Sequence, residues 1–466
     1  MQQRKLIKET VLSKLIFLVL LLSTKLLAQT TTNNITEHKL KNGLQVIVMP
    51  DHKAPLAWFQ IWYKVGSSDE TLGKTGLAHA LEHMMFKGTT KYPKGKIWEL
   101  ISGNGGSQNA FTSNDYTCYW QQLPKDKIEL SFDIESDRMQ NLTFSSAEFK
   151  KEQQVILEER RMRTDDSPRG LAYEQFMAAA NLASNYQNPV IGWARDIKNI
   201  GTQDLKDWYS KWYMPNNAII VVAGDVDTNN ILQLAEKYFA SIKASTITPT
   251  ENLKPTPQLG SKILNVRAMA TVPSLILGYR TPSLKTAINK TDVYALTLLD
   301  QILTGGNSAI FTQDLVYQQS MAAAISSYYS PFSKYSSTYS FFATPTSTST
   351  TAQITSYLQK QIIKLQHEEL APATLKKAKA QAIAAEIYAK ESIEEQALNI
   401  GAILAIGLSI ADYDDFIDGI QNVSANQLRQ VAKKYLVPDQ ATIVYLDSKT
   451  KTNLKTTPTI TGAKHD

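Results

Sequence analysis

The chain repeats part of itself, and that repeat limits what it can fold into more than any other feature. Set at an offset of 223, residues 197–221 and 420–444 share eight identities in twenty-five positions, among them Lys211/Lys434, Pro215/Pro438, Ile220/Ile443 and Val221/Val444. Each copy reads as an N-capped helix, a Pro and a β strand. A period of this length is too long for a solenoid unit, and 466 residues are too many for one hydrophobic core. The expected fold class is therefore α+β: two homologous α+β domains, each a mixed or antiparallel sheet packed with helices. Residues 244–260, rich in Thr and Pro and without periodicity, are the expected linker. The boundaries that follow are 29–243 for the first domain, 261–450 for the second and 451–466 for a tail.

The first 28 residues stand apart in charge. They hold Arg4, Lys5, Lys8, Lys14 and Lys25 against Glu9 alone, then the apolar run 15–22 (LIFLVLLL) and a small residue, Ala28, at a cleavage point. This pattern is that of a secretory signal peptide, so the mature chain is expected to be exported, to the periplasm first of all. The formal charge of the whole chain is +6. Without the signal it is 44 − 42 = +2, so the basic balance is an export feature. No basic stripe interleaved with aromatics points to nucleic acid, and no later stretch is long and apolar enough to span a bilayer. The one cysteine, Cys118, excludes a disulfide framework and a thiolate metal cage. It lies in an alternating β-like run and reads as a buried apolar residue, not a nucleophile.

Residues 35–40 and 44–49 flank an Asn42-Gly43 bend as a hairpin-like pair, and 58–65 and 218–223 are further strands. Helices are expected over 76–86, 129–139, 146–162 and 353–367, the last entered from the Thr-rich stretch 344–351. The chemistry falls on the first helix, which carries His79-Ala80-Leu81-Glu82-His83. Positions four apart share a helix face, so both imidazoles can reach one metal ion. Nitrogen ligands at this spacing suit Zn²⁺. Glu82 is too close in sequence to be a comfortable third ligand and fits a general base that takes a proton from the metal's water. The order H-x-x-E-H inverts the commoner H-E-x-x-H. A third ligand is expected from another element, and helix 146–162 carries Glu152 and Glu159, two turns apart on one side. Glu159 is the expected ligand and Glu152 a carboxylate behind the ligands or facing substrate, whereas Glu158 points elsewhere into solvent. His38, His52, His367 and His465 have no ligand-like neighbours and read as solvated.

Four stretches carry a wider likeness: 76–89 (GLAHALEHMMFKGT), 109–117 (NAFTSNDYT), 152–159 (EQQVILEE) and 214–225 (MPNNAIIVVAGD). Over nearly the whole mature chain, the sequence resembles the inverted-motif zinc peptidases of the pitrilysin, insulin-degrading enzyme and mitochondrial processing peptidase group. The resemblance implies a two-domain clamshell half with one Zn²⁺ on His79, His83 and Glu159 and Glu82 as base. It implies that Asn109, Ala110 and Phe111 form an edge strand to which the backbone of a peptide substrate adds. Gly103, Gly105 and Gly106 would let the chain turn tightly into that strand.

The second half looks like a worn copy. With Gly88 set on Gly306, Thr297, Asp300 and Gln301 stand where His79, Glu82 and His83 do, so no zinc is expected there. Relatives supply an Arg and a Tyr, seven residues apart, from a second-half stretch matching 315–323; here those positions are Val316 and Ala323. A missing oxyanion donor costs about 2.7–4 kcal/mol of transition-state stabilisation. The expectation is a metalloendopeptidase that works as the catalytic subunit of a heterodimer, with a related chain supplying the Arg/Tyr pair. One alternative is that Arg280, Tyr294, Tyr317 or Tyr328 substitutes within the chain. The other is a non-catalytic, structural or peptide-holding subunit of the same fold. The aromatic cluster from Tyr328 to Phe342 reads as strand and core.

Overall fold

A computed structural model describes residues 35–448 apart from 254 and 390. The expected signal segment, 1–28, and the tail, 451–466, lie outside the described residues. The chain begins with strands β1 (Thr36–Lys39), β2 (Gln45–Pro50) and β3 (Leu56–Tyr63). The Asn42-Gly43 bend is a tight turn in which Leu40 N donates to Leu44 O and Gly43 N to Leu40 O, both at 2.9 Å. Helices α1 (Leu77–Met85) and α2 (Lys96–Gly103) lead to the hairpin β4 (Ser107–Thr112) and β5 (Thr117–Pro124). Then come α3 (Glu129–Arg138), α4 (Ser146–Arg160), α5 (Pro168–Ala180), α6 (Ala194–Asn199), α7 (Thr202–Trp212), β6 (Ala218–Gly224) and α8 (Thr228–Phe239). The six strands form one sheet in the order β1-β2-β6-β3-β5-β4. Strands β2 and β6 run parallel; β3 is antiparallel to β6 and β5, and β4 to β5.

The second half runs β7 (Lys262–Thr281), α9 (Lys290–Thr304), β8 (Ala322–Tyr328), β9 (Ser337–Pro345) and α10 (Thr351–His367). It ends with α11 (Pro372–Ala389), α12 (Ile393–Ala405), α13 (Ile410–Asn422), α14 (Ala425–Tyr435) and β10 (Thr442–Ser448). The long β7 folds back so that β10 lies between its arms. Residues 442–447 run in step with 262–267, while 442–446 pair in the opposite sense with 278–274. The second arm pairs with β9 and β9 with the edge strand β8, both antiparallel. The strand sequence β7–β10–β7–β9–β8 thus repeats β2–β6–β3–β5–β4. In both copies of the repeated segment a helix, α7 or α14, passes through a short turn at Pro215–Asn217 or Pro438–Gln440 into the central strand. The caps differ: Ser424 accepts from Gln427 N, but the first copy starts on Gly201, whose N–H goes to Asp204 at 2.8 Å instead of a cap side chain closing the helix.

Every residue of β6 (AIIVVAG) is buried, as in a strand covered on both faces. One face belongs to a core of its own half, where Phe59, Ile61 and Val222 meet Leu81, Met84 and Phe132. The other face is covered by α12, from the second half, which lies on β3 and β6. In return α5, from the first half, lies on β7 and β10 and buries Ala172, Phe176 and Ala180 against Ile276, Val444 and Leu446. The last carbonyls of α5 receive second-half cations, Lys262 Nζ on Ala179 O (2.7 Å) and Arg280 on Ala180 O (2.9 Å), where the helix dipole favours positive charge. Each half therefore lends the other one helix.

The approach of α12 depends on Gly401. A Cβ there would come within 2.2 Å of the Trp62 ring, and Trp62 is 1% exposed and held in the sheet. Gly401→Ala is expected to overpack this contact at a cost of about 1–3 kcal/mol, lowering the urea midpoint while leaving the slope unchanged.

Cys118 is fully buried in β5, paired with Phe111, and burial pushes its thiol up. Of the aromatic cluster, Tyr329, Tyr339 and Phe341 lie in the second core, whereas Tyr328 is exposed.

Candidate metal centre

Helix α1 starts without a capping side chain, because its N-cap is Gly76. Glu70 substitutes: its two carboxylate oxygens accept the N–H groups of Gly76 and Ala78, each at 2.8 Å. Burial pushes the Glu70 carboxyl up to about 8 against the pull of those bonds. The helix sinks Leu77, Ala78, Leu81, Met84 and Met85 into the core. Its other side brings His79, Glu82 and His83 to a cavity of about 650 Å³, which Glu152 and Glu159 of α4 enter from across.

The two imidazoles lie with ring centres 4.7 Å apart. Their Nε2 atoms both face Glu159 Oε2, at 3.7 Å from His79 and 3.4 Å from His83. Zinc bonds of about 2.0–2.1 Å at tetrahedral angles put neighbouring ligand atoms roughly 3.3 Å apart, so this donor set fits a Zn²⁺-sized ion with small adjustments. His83 Nδ1 meets Glu152 Oε1 at 2.9 Å, which orients the ring with Nε2 toward Glu159. His79 Nδ1 is buried without a partner. Among the described residues, His79, His83 and Glu159 are the one group of His, Cys, Asp and Glu side chains close enough to share an ion.

The charges around the site follow from burial and pairing. Burial, then His83, pushes His79 down to about 4. Burial also works against the charged form of His83, but Glu152 and Glu159 outweigh it and hold that ring up at about 9. The His83 contact keeps Glu159 below the usual carboxylate range. Burial pushes Glu82 up, opposed by a hydrogen bond from Thr112 Oγ1.

Asn109, Ala110 and Phe111 lie on β4 and line the same cavity. Strand β4 ends the sheet order, with β5 on one side and no strand on the other among the described residues. The turn into it needs two of the three glycines: Gly105 has φ +74°, and a Cβ on Gly106 would lie 2.5 Å from Gln122 O. Gly103 is instead the last residue of α2, in open space. Glu158 is exposed and paired with Arg161. His38 and His367 are exposed. His52 is exposed as well, but it does have a carboxylate neighbour, since Nδ1 meets Asp225 Oδ1 at 2.6 Å.

Sequence reasoning missed four residues here. Thr112 bonds the candidate base, and Glu70 caps the histidine helix. Lys87 sits on the far oxygen of Glu152, and Arg163 lies 2.7 Å from Glu159 Oε1. Arg163 reaches the cavity from a π-helical turn, Arg161–Asp165, that continues α4. None of Arg280, Tyr294, Tyr317 and Tyr328 lines this cavity. Arg280 is spent on Ala180 O and Thr256 O, and Tyr294 packs on Phe416.

In the second half, Thr297 donates to Val293 O and Gln301 to Gly305 O, while Asp300 accepts from Ser327 Oγ at 2.5 Å. The Ser327–Asp300 bond from strand to helix has the same form as Thr112–Glu82. The connection survives in both copies although the histidines do not.

The family model described as Insulinase (Peptidase family M16) matches residues 45–193, and that described as Peptidase M16 inactive domain matches 199–382. The division agrees with the one group of ligand-type side chains found among the described residues lying in the first half. A Helicobacter pylori protein named zinc protease PqqE is 32% identical over 415 residues, 87% of this chain and 91% of that one. The crystal structure of a protease from Helicobacter pylori has a TM-score of 0.83 at 29% identity, covering 89% of this chain and 99% of the other. The first half of the periplasmic protease PqqL from Escherichia coli shares the fold at a TM-score of 0.74 and 18% identity, over 89% of this chain and 92% of that one. The two-domain α+β fold, the two family matches and the similarity to a named zinc protease converge: the chain belongs to peptidase family M16, the insulinase family.

Proposed function

We propose that the chain is a zinc metalloendopeptidase acting on peptides or unfolded polypeptides, and the catalytic subunit of a heterodimer. The observation that carries this reading is that His79 Nε2, His83 Nε2 and Glu159 Oε2 face one another in a cavity that also holds Glu82. His79, His83 and Glu159 would hold one Zn²⁺, with Glu152 fixing the His83 ring. An ion held there would supply Lewis acidity, polarising a peptide carbonyl and making a water molecule easier to deprotonate. Glu82 takes the proton from the attacking water and delivers it to the leaving amine. Thr112 holds one Glu82 oxygen, leaving the other to do this. The unpaired edge at Asn109, Ala110 and Phe111 would bind the substrate backbone by strand addition, through main-chain hydrogen bonds with little sequence preference.

The partner is inferred from what the cavity lacks. Its cations, Lys87 and Arg163, are already paired with Glu152 and Glu159, and the side chains of Val316 and Ala323 carry no donor for an oxyanion. A related subunit would supply the Arg and Tyr. The catalytic domain is proposed as 29–243 and its metal-lacking relative as 261–450, joined by 244–260. Export to the periplasm is proposed on the signal-like segment 1–28, and the structural neighbour PqqL is itself a periplasmic protease.

The test is to purify the chain from its native host with any companion retained, and to assay a quenched-fluorescent unfolded peptide before and after separating them. Full activity should need both chains, and the companion should carry Arg and Tyr seven residues apart. Full-rate cleavage by this chain alone would remove the heterodimer. No hydrolysis by either preparation, with zinc bound, would remove the peptidase reading.

A further inference from the structure

Two buried carboxylates play no part in the mechanism above. Asp69 and Asp115 are 4% and 6% exposed, and each adjoins a segment of the proposed site. Asp69 precedes Glu70, which holds the first N–H groups of α1. Asp115 lies three residues beyond Thr112, the partner of Glu82. The two segments are tied by main-chain bonds, Ser67 N to Ser113 O at 3.1 Å and Ser68 N to Asn114 O at 2.8 Å.

The group that joins both carboxylates comes from the other half. Lys334 Nζ donates to Asp69 Oδ1 at 2.8 Å, and Lys334 N to Asp115 Oδ2 at 3.0 Å. Tyr186 OH donates to Asp115 as well, and its oxygen accepts the N–H of Tyr335 at 3.0 Å. Buried carboxylates are costly unless paired. The exchanged helices α5 and α12 join the halves through apolar packing elsewhere, so this polar tie is a separate link, and it is the one that runs to the segments beside Glu70 and Thr112.

We propose that Lys334 is a positioning residue for the reaction, through which the half without metal ligands sets α1 against β4. It fixes 66–70 and 113–116 at once. Through Glu70 and Thr112 these segments determine where the Glu82 carboxylate stands relative to the peptide edge and the ligand set. Small errors in such placement are expensive in rate. The inference rests on the peptidase reading.

The test compares Lys334→Met, Lys334→Arg and the double variant Lys334→Met/Asp69→Asn in the full chain with any companion subunit retained. Zinc content, thermal midpoint, kcat and KM are measured. Lys334→Met should lose at least about tenfold in kcat, with KM within about twofold and one zinc per chain. Lys334→Arg should recover most of the rate. The double variant leaves no unpaired charge at position 69, so it should regain the wild-type midpoint but not kcat; if the single variant does not fold, the double variant decides alone. Recovery of kcat along with the midpoint, wild-type kcat in Lys334→Met, or failure of the double variant to fold would each overturn the proposal, since the lysine would then serve stability alone. Wild-type protein without turnover would instead overturn the peptidase reading, and the positioning role with it.

Discussion

Glu82→Gln should abolish turnover while leaving zinc in place. The substitution keeps the volume of the side chain, and an amide oxygen can still accept the Thr112 hydroxyl, so neither α1 nor the cavity has reason to move. Glu82 lies outside the group of His79, His83 and Glu159, and one zinc per chain should remain by elemental analysis. What disappears is the proton acceptor. General-base contributions run to about 10²–10⁴-fold; here the same group also returns the proton to the leaving amine, so the loss should lie at or beyond the upper end. The proposed strand addition at Asn109, Ala110 and Phe111 would not involve this proton, and the variant should therefore retain peptide and report KM-like affinity by titration. Turnover within tenfold of wild type would assign the base to another residue.

This prediction could be framed from sequence because the pentapeptide spacing is a local property. Two histidines four residues apart share a helix face whatever the rest of the chain does. Glu152 and Glu159 were legible for the same reason, since a separation of seven is two helical turns, and the structure brings both to the histidine cavity. The repeat at an offset of 223 likewise announced two related halves, because helix, Pro and strand recur together; their common strand order came only with the structure. What escaped notice is long-range. The helices at 168–180 and 393–405 were not anticipated, and nothing local in those stretches says which sheet each will cover; each covers the other half's. The small residues involved, Ala172 and Gly401, make sense only once Ile276 or Trp62 is known to stand opposite. Glu70, Thr112 and Lys334 were hidden in the same way. A carboxylate capping a helix six residues on, a hydroxyl meeting a base 30 residues away and a lysine reaching back 265 residues leave no spacing rule to find. The expected Arg/Tyr pair is the reverse case, where the resemblance to the inverted-motif peptidases points to Val316 and Ala323 and geometry alone would not have singled them out.

Removing His83 should produce a different failure from removing Glu82. His83→Ala deletes one Nε2 donor and leaves a donor pair, His79 and Glu159, that is short of the three protein ligands a catalytic zinc site uses. Zinc content should fall to background after dialysis, and turnover with it, and excess zinc should not restore either. Glu152→Ala removes no donor of the group but frees His83 Nδ1 and Lys87, both of which now rest on that carboxylate. Loss of such a supporting contact typically costs 10–100-fold in metal affinity, so this variant should lose zinc to a chelator sooner, yet regain activity when zinc is added back. The two variants separate holding the ion from orienting what holds it. If His83→Ala kept one zinc per chain, the ligand assignment would fail even with the histidine essential for turnover. If Glu152→Ala behaved like His83→Ala and could not be rescued, Glu152 would have to be counted among the ligands, with Arg163 drawing Glu159 away from the ion.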